Sequence, residues 1–192
     1  ATFEALQTIS SRPLLLREIP IRDGSGQLTG MVDLVSERAW RWEPHKRSEM
    51  ITLPKELEAS EDAARGEMLE SLADFDDDLM MELLEDVVPS TDEIYENLVK
   101  DLQADLIVPV FFGSAENENG INRLMKALRH EAPDASTTAA RLELPTDGAV
   151  AQVFSTAYAG KAGKLSHARV WSGAVNNGDS LNGSRVASLR RH

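Results

Sequence analysis

The stretch that decides the fold runs from Ile107 to Pro133 and reads Ile-Val-Pro-Val-Phe-Phe-Gly-Ser-Ala-Glu-Asn-Glu-Asn-Gly-Ile-Asn-Arg-Leu-Met-Lys-Ala-Leu-Arg-His-Glu-Ala-Pro. Its apolar start predicts a buried strand, and the polar loop that follows opens with Gly113-Ser114-Ala115. The loop leads into a predicted amphipathic helix. The apolar residues of that helix are Ile121, Leu124, Met125 and Leu128. Open α/β sheets bind ligands where a strand ends in such a loop, so the loop is the first candidate site.

The composition is that of an ordinary globular protein, with 192 residues, 42% of them hydrophobic and 27% charged. The absence of cysteine excludes disulfides, thiolate metal sites and cysteine nucleophiles, and fits a reducing, cytoplasmic compartment. No apolar run approaches the roughly 20 residues that span a bilayer, so no membrane partner is expected. The chain begins at Ala1 without a signal peptide and ends at His192 after an unfinished strand pattern, which favours a fragment of a longer protein.

The net charge of −12 is concentrated in one segment. Residues 56–101 hold 17 acidic side chains and only two basic ones, Arg65 and Lys100. Nucleic acid phosphates are bound by Lys and Arg, so this segment is not expected to touch nucleic acid, and no DNA partner is predicted. It could dock a basic protein surface, or its acidity could simply keep a helical face solvated.

The first part of the chain alternates between predicted strands and helices. Residues 14–21, 28–35 and 38–42 read as three strands of an antiparallel meander. A helical pattern begins at Pro54 and stops at Pro89, with apolar residues at helical spacing. These residues are Leu57, Met68, Leu69, Leu72, Leu79, Met80, Leu83 and Leu84. Ser90 and the three residues after it predict the N-cap region of a further helix.

Small, polar residues from Ala135 predict a linker over 135–146. Beyond it, alternating apolar residues punctuated by glycines predict a β-rich second domain over 147–192. The sequence Asn176-Asn177-Gly178-Asp179 lacks the Lys of a guanine-reading motif, and Asn-Gly is a strong turn signal. The turn 23–26 is likewise a connection between strands, although its Asp and second Gly have the spacing of a nucleotide switch.

No catalytic centre can be argued from residue patterns alone. The chain has no Gly-x-x-x-x-Gly-Lys-Ser/Thr phosphate loop, and its four histidines are scattered without metal-ligand spacing. Four crowded aspartates between 74 and 78 lack the glycine and terminal glutamate of a calcium loop. They favour a turn between two helices, where an acidic first turn stabilises the following helix. No metal site and no catalytic residue are therefore predicted.

Two motifs, taken together, indicate a family. Residues 163–179 read Gly-Lys-Leu-Ser-His-Ala-Arg-Val-Trp-Ser-Gly-Ala-Val-Asn-Asn-Gly-Asp, and they resemble the start of the β-barrel second domain of translational GTPases. Pro109-Val-Phe-Phe-Gly-Ser-Ala115, followed by Asn119-Gly-Ile121, resembles the last guanine-binding loop of the same family. Between them, Gly30-Met-Val-Asp-Leu-Val35 and the acidic helices are similar to the insert of elongation factor G. The resemblance covers essentially the whole chain, in order.

The resemblance implies an α/β plus β fold. Residues 1–134 would be the C-terminal part of a GTPase α/β domain, with an inserted antiparallel-sheet-and-helix subdomain at about 13–103. Residues 135–146 would be a linker, and 147–192 the start of a β-barrel. Residues 1 to about 12 would end the helix after the guanine reader. The phosphate loop, the switches and that reader would lie before Ala1.

The resemblance also implies a function for the parent protein. This would be a cytoplasmic, ribosome-associated GTPase that uses GTP and Mg²⁺ in translocation or recycling, while the fragment alone would bind no nucleotide and have no activity. Ser114 and Ala115 match the guanine-contacting positions, and small side chains suit a close approach of backbone to a flat ring. Glu116 stands where Lys, Leu or Phe are more familiar, which favours a divergent paralogue.

Partners of the parent would include the ribosomal stalk protein, whose C-terminal domain is basic. The acidic helices over 56–86 are the expected contact, and charge complementarity would mainly speed the encounter. A different class of function stays open. The chain could be a non-catalytic adaptor that docks a basic partner through the same helices.

Overall fold

The computed structural model describes residues 2–160 and 163–190. The chain divides between Pro133 and Asp134 into two compact units. The first unit mixes helices with parallel and antiparallel strands, and the described residues of the second form one α-helix and two β-hairpins. The predicted mixed α/β class is confirmed. Among the described residues, no helix is both long enough and apolar enough to cross a bilayer.

The first unit begins with helix α1, Thr2–Ile9, and strand β1, Leu14–Leu16. Strand β1 pairs in parallel with β6, Val108–Val110, although some 90 residues separate them in sequence. The strands and helices between these two neighbours form a separate sheet and helical layer. Two segments distant in sequence are thus brought side by side at the base of the candidate loop.

The strand predicted over 14–21 is not continuous, because it changes sheets at Arg17. The backbone N–H of Arg17 donates to Val110 O at 3.1 Å, and its carbonyl accepts from Leu34 N–H at 3.0 Å. Strand β2, Glu18–Arg22, then enters the antiparallel sheet. Hydrophobic periodicity could not reveal this break, since the apolar pattern runs through it and only the pairing partners change.

The antiparallel sheet has the order β2-β3-β4-β5. Strands β3, Leu28–Asp33, and β4, Arg38–Arg41, complete the predicted meander. A fourth strand, β5, Glu49–Ile51, was not predicted, because three residues are too short to show alternation. The turn between β2 and β3 is confirmed, with Asp23 Oδ1 accepting the N–H groups of Ser25 and Gln27 at 2.9 and 3.0 Å.

Three helices follow a 3₁₀ turn at Lys55–Leu57. They are α2, Glu58–Ala73; α3, Asp77–Leu84; and α4, Thr91–Gln103. Asp76 caps α3 by accepting from Asp78 N–H and Leu79 N–H, so the crowded aspartates do form a helix–helix turn. The predicted cap of α4 is confirmed as a capping box, in which Ser90 and Glu93 bond to each other's backbone N–H groups.

The core of the first unit lies between the antiparallel sheet and the helices. Its fully buried members include Val32, Leu34, Leu72, Leu79 and Ile94. The predicted apolar helix face is largely correct, but Leu84 lies outside the core with 77% of its surface exposed. It is the last residue of α3, and no neighbouring layer of the described residues covers it.

The strand and helix around the candidate loop are less buried than predicted. Val108 in β6 is 40% exposed, and α5, Ile121–His130, exposes Leu124, Met125 and Leu128 by 39%, 57% and 53%. The prediction of a buried strand is therefore wrong for β6. The physical reason is that its sheet has two strands only, so no further layer packs on this side of the described chain.

The second unit opens with helix α6, Ala135–Arg141, capped by the side chain of Asp134. The linker predicted over 135–146 thus contains a helix, because the cap and three alanines stabilise it despite the threonines. Strands β7, Val150–Tyr158, and β8, Lys164–Ser172, form an antiparallel hairpin. Short strands β9, Ser180–Leu181, and β10, Ser184–Arg185, form another.

Candidate functional site

The candidate loop spans residues 113–120 and is closed by a small bridge. Ser114 N–H donates to Asn119 O at 2.9 Å, and Asn119 N–H donates back to Ser114 O at 3.0 Å. Ser114 Oγ accepts from Asn117 N–H at 3.3 Å. Residues 115–118 therefore protrude as one tight turn between β6 and α5, and the loop has a defined shape.

Two glycines allow this closure. Gly120 has φ +74°, and a Cβ there would lie 2.3 Å from Phe112 O. A Cβ on Gly113 would lie 3.0 Å from Asn119 O. Larger residues at these positions would force the two ends of the loop apart, so both glycines are required by the close approach of the backbone.

The predicted site residues lie together at the start of the turn. Ser114 is half-buried and uses its hydroxyl within the loop, whereas Ala115 is exposed. The backbone N–H groups of Ala115 and Glu116 find no acceptor within residues 2–160 and 163–190. The loop thus presents free donors and one small side chain at the surface, which suits a flat, carbonyl-bearing ligand.

A buried group of charged side chains lies beneath the loop, and we call it the charged cluster. Its members come from β1–β2, β3, α5 and the residue after α5: Arg17, Glu18, Asp33, Arg123 and Glu131. Arg17 and Glu18 are fully buried, and the Arg123 side chain is 13% exposed. Buried charges require partners, so their pairing is expected to be specific.

Each member of the cluster has an oppositely charged neighbour, although Glu18 Oε1 and Arg123 Nε make no hydrogen bond. Arg17 holds Glu131 by two contacts of 2.6 and 3.3 Å, and its guanidinium lies 5.3 Å from the ring centre of Phe111. Arg123 pairs with Asp33, and its Nε lies 3.7 Å from Glu18 Oε1. The other Glu18 oxygen accepts the backbone N–H of Phe112 at 2.9 Å. The start of the loop is thereby bonded directly to the antiparallel sheet.

The charges in the cluster do not balance, because three carboxylates face two guanidinium groups. Burial raises the pKa of Glu18 from 4.5 to about 7. The hydrogen bond from Phe112 and the charges of Arg123 and Arg17 oppose that rise, while Asp33 adds to it. Glu18 is therefore the member of the cluster that takes up a proton near neutral pH.

A second contact connects the loop to the segment between β4 and β5. His45 N–H donates to Asn117 O at 3.0 Å, in the middle of the protruding turn. The loop is thus held at its start through Phe112 and near its tip through Asn117. Both partners belong to residues 18–45, which are far from the loop in sequence.

Sequence patterns did not predict the charged cluster. The available signal was the pair Arg17-Glu18 inside an otherwise apolar run, which a half-exposed strand would also show. Only the long-range pairing of β1 with β6 places these residues beside Arg123 and Glu131. Within residues 2–160 and 163–190, no group of His, Asp and Glu side chains is arranged to hold a metal ion.

The acidic helices present a second surface. Besides their carboxylates, the end of α3 and the turn after it expose apolar side chains. Met81 is 56%, Leu84 77% and Val88 78% exposed. The segment therefore combines negative charge with uncovered apolar area, which is typical of a docking surface.

Comparison with known proteins gives one family over 90–98% of the chain. No family model matches. A protein named elongation factor G-like protein, from Synechocystis sp. (strain ATCC 27184 / PCC 6803 / Kazusa), is 47% identical over 191 residues, covering 98% of this chain. The chain is a homologue of part of elongation factor G. The elongation factors G of Fervidobacterium nodosum and Borreliella burgdorferi (elongation factor G 1) are 32% and 31% identical, over 93% and 90% of the chain.

The match to these elongation factors is to one region of each. The chain spans 28% of the length of the Synechocystis and Fervidobacterium proteins and 27% of the Borreliella protein. A solved structure from Thermus thermophilus matches 93% of this chain and 26% of its own, with a TM-score of 0.69 at 24% identity. That likeness supports the fold of the chain.

Proposed function

We propose that the chain is a segment of a ribosome-associated translational GTPase of the elongation factor G type. The observation that carries this proposal is the 47% identity to an elongation factor G-like protein across 98% of the chain. Residues 1–134 would be the C-terminal part of the GTPase domain, and 147–192 the start of a β-barrel. The parallel pairing of β1 with β6 supports an insert, because residues 17–107 lie between two neighbouring strands of one sheet. Since β1 itself belongs to that sheet, the insert would begin near residue 17 rather than at about 13.

In this proposal, Ser114 and Ala115 form one wall of the guanine site. The free N–H groups of Ala115 and Glu116 would donate to the base carbonyl, and the Ala115 side chain leaves room for the ring. GTP and Mg²⁺ would be held by the phosphate loop and switches of the complete protein, which supply the charge stabilisation for phosphoryl transfer. The exposed face of α5 would be covered by the rest of that domain.

Nucleotide binding by two samples tests the proposal. The complete protein that contains this segment should bind a fluorescent guanine nucleotide with Mg²⁺-dependent affinity and prefer it to the adenine analogue. The 192-residue segment should show no saturable binding at the same concentrations. A complete protein that binds no guanine nucleotide, yet still docks a basic protein, would favour the adaptor function instead.

A divergent paralogue fits better than elongation factor G itself. The chain is 47% identical to the protein named elongation factor G-like, against 32% and 31% for those named elongation factor G. Glu116 also favours a paralogue, because Lys, Leu or Phe is more familiar at that position of the loop. Two assays with the complete protein distinguish its proposed cytoplasmic roles: movement of elongating ribosomes along mRNA measures translocation, and splitting of stalled ribosomes into subunits measures recycling.

The acidic helices would dock the ribosomal stalk protein through its basic C-terminal domain. The support is the pairing of dense negative charge with exposed Met81 and Leu84. Met81→Ser should weaken the complex, whereas Met50→Ser on β5, an equally exposed methionine at 59%, should leave it unchanged. Calorimetric titration at low ionic strength measures both. No binding by the unaltered protein under these conditions would refute this contact.

A further inference from the structure

The antiparallel sheet holds the candidate loop through a buried carboxylate. Glu18, the first residue of β2, accepts the N–H of Phe112 at 2.9 Å, one residue before the loop begins. Glu18 is fully buried, so water cannot replace its oxygen as the acceptor. The register of the loop against the sheet therefore depends on this one side chain.

The same carboxylate also reaches the helix that follows the loop. Its second oxygen lies 3.7 Å from Arg123 Nε, and Arg123 is ion-paired with Asp33 of β3. Glu18 thus connects the residue before the loop with the first turn of α5 behind it. The hydrogen bond from His45 N–H to Asn117 O also holds the turn, and His45, like Glu18, precedes the loop in the sequence.

The closed geometry of the loop carries any displacement to its tip. Two backbone hydrogen bonds join Ser114 to Asn119, and Gly120 lies so close to Phe112 O that a Cβ there would clash. The backbone between Phe112 and Ala115 therefore has little room to move independently of the rest of the loop. If the Glu18 carboxylate is removed, the N–H of Phe112 loses its hydrogen-bond acceptor. The backbone of Phe112, and with it the loop, would then shift toward another acceptor. Displacements of about 1 Å weaken contacts that need defined geometry.

We propose that Glu18 is a positioning residue for guanine recognition, because it fixes the backbone that leads into Ser114 and Ala115. This inference rests on the proposed function. It assigns a role in nucleotide affinity to a residue that lies about 95 positions before the loop, in the sheet rather than in the nucleotide-binding fold. Glu18 acts through the backbone of Phe112 and does not touch the nucleotide.

Guanine nucleotide affinity of the complete protein tests this role. Glu18→Ala removes the acceptor and should weaken binding of a fluorescent guanine nucleotide about tenfold, the equivalent of one lost hydrogen bond. Glu18→Gln keeps an amide oxygen for Phe112 N–H and should restore most of the affinity. Glu61→Ala, which removes a buried glutamate beside Glu37 and Arg65, is the matched control and should leave the affinity unchanged.

The outcomes separate the two proposals. If the unaltered protein binds no guanine nucleotide, the proposed function fails and this inference fails with it. If the unaltered protein binds but Glu18→Ala binds equally well, only the inference is refuted. Equal losses in Glu18→Ala and Glu61→Ala would also refute it, since they would reflect general destabilisation. Unfolding midpoints measured for all variants show whether each one is folded.

Discussion

At the residue scale, the charged cluster determines how the start of the loop is held. Two arginines and three carboxylates are removed from water at a point where two sheets meet. Such clusters cost desolvation free energy, and they persist only when every charge has a partner. The odd carboxylate, Glu18, is the one whose pKa burial raises to about 7.

The pH dependence of stability follows from Glu18. Its pKa is 4.5 in the unfolded chain and about 7 when folded, so the folded state binds the extra proton between those values. Stability therefore falls as pH rises through this window, by up to about 3 kcal/mol. The advantage of Glu18→Gln over the unaltered chain in the free energy of unfolding should therefore be about 2–3 kcal/mol larger at pH 8 than at pH 5. Urea unfolding at both pH values measures the difference, and a gain that does not change with pH would contradict this account.

The Arg17–Glu131 pair should be the most costly to break. Arg17→Met leaves the buried carboxylate of Glu131 without its partner, and we expect a loss of about 3–5 kcal/mol in the free energy of unfolding. The exposed pair of Arg41 with Glu49, 54% and 61% exposed, is the matched control. Arg41→Met should cost less than about 1 kcal/mol. Equal losses for the two variants would show that burial does not control the cost.

At the scale of the element, helix caps define the boundaries of the acidic helices. Asp76 and Ser90 place the starts of α3 and α4, and Asp76 also pairs with Lys100 at 2.6 Å. The sequence predicted the Ser90 cap and a helix–helix turn at the aspartates, because both depend on neighbours within a few residues. The break at Arg17 was not readable, because its cause lies in the backbone of residues 34 and 110.

The capping box of α4 should contribute measurably to stability. Ser90→Ala removes the acceptor of Glu93 N–H and should cost about 1 kcal/mol. Ser60→Ala, an exposed serine inside the first turns of α2, should be neutral or slightly stabilising, because alanine is the better helix former there. Thermal unfolding of both variants gives the comparison. A similar loss at Ser60 would argue against a specific cap.

At the scale of the whole molecule, the two units differ in how much core they have. All members of the main hydrophobic core lie before residue 108, in the first unit. The β7–β8 hairpin of the second unit exposes Val153, Phe154 and Tyr158 by 57%, 69% and 84%. A two-stranded hairpin without a covering layer is marginally stable in water.

Hydrogen exchange on the isolated 192-residue chain should show this difference. The amides of α2 and α4 should exchange slowly, because they open only with the core, while those of β7 and β8 should exchange at least about a hundredfold faster. In the complete protein, where the proposed barrel would cover the hairpin, the β7–β8 amides should become protected. If the β7 amides are strongly protected in the isolated chain, the hairpin does not need the proposed barrel to be stable, and this account is wrong.

Most of the element types, the turns, the Ser90 cap and the motifs of the elongation factor G family could be predicted from the sequence, because each depends on residues close together along the chain. The Gly113-Ser114-Ala115 loop was found in this way. The short strand β5 and the helix α6 could not be predicted. The roles of Ser114 and Ala115 stay predictions until a nucleotide is bound.

Long-range contacts in the folded chain set where the strand over 14–21 breaks, which side chains meet beneath the loop and which apolar faces remain uncovered. Glu18 and Phe112 are 94 residues apart, and no local pattern encodes their hydrogen bond. Long-range pairing of β1 with β6 brings them together. Because the contact is buried, water cannot replace either partner, and losing the hydrogen bond costs free energy.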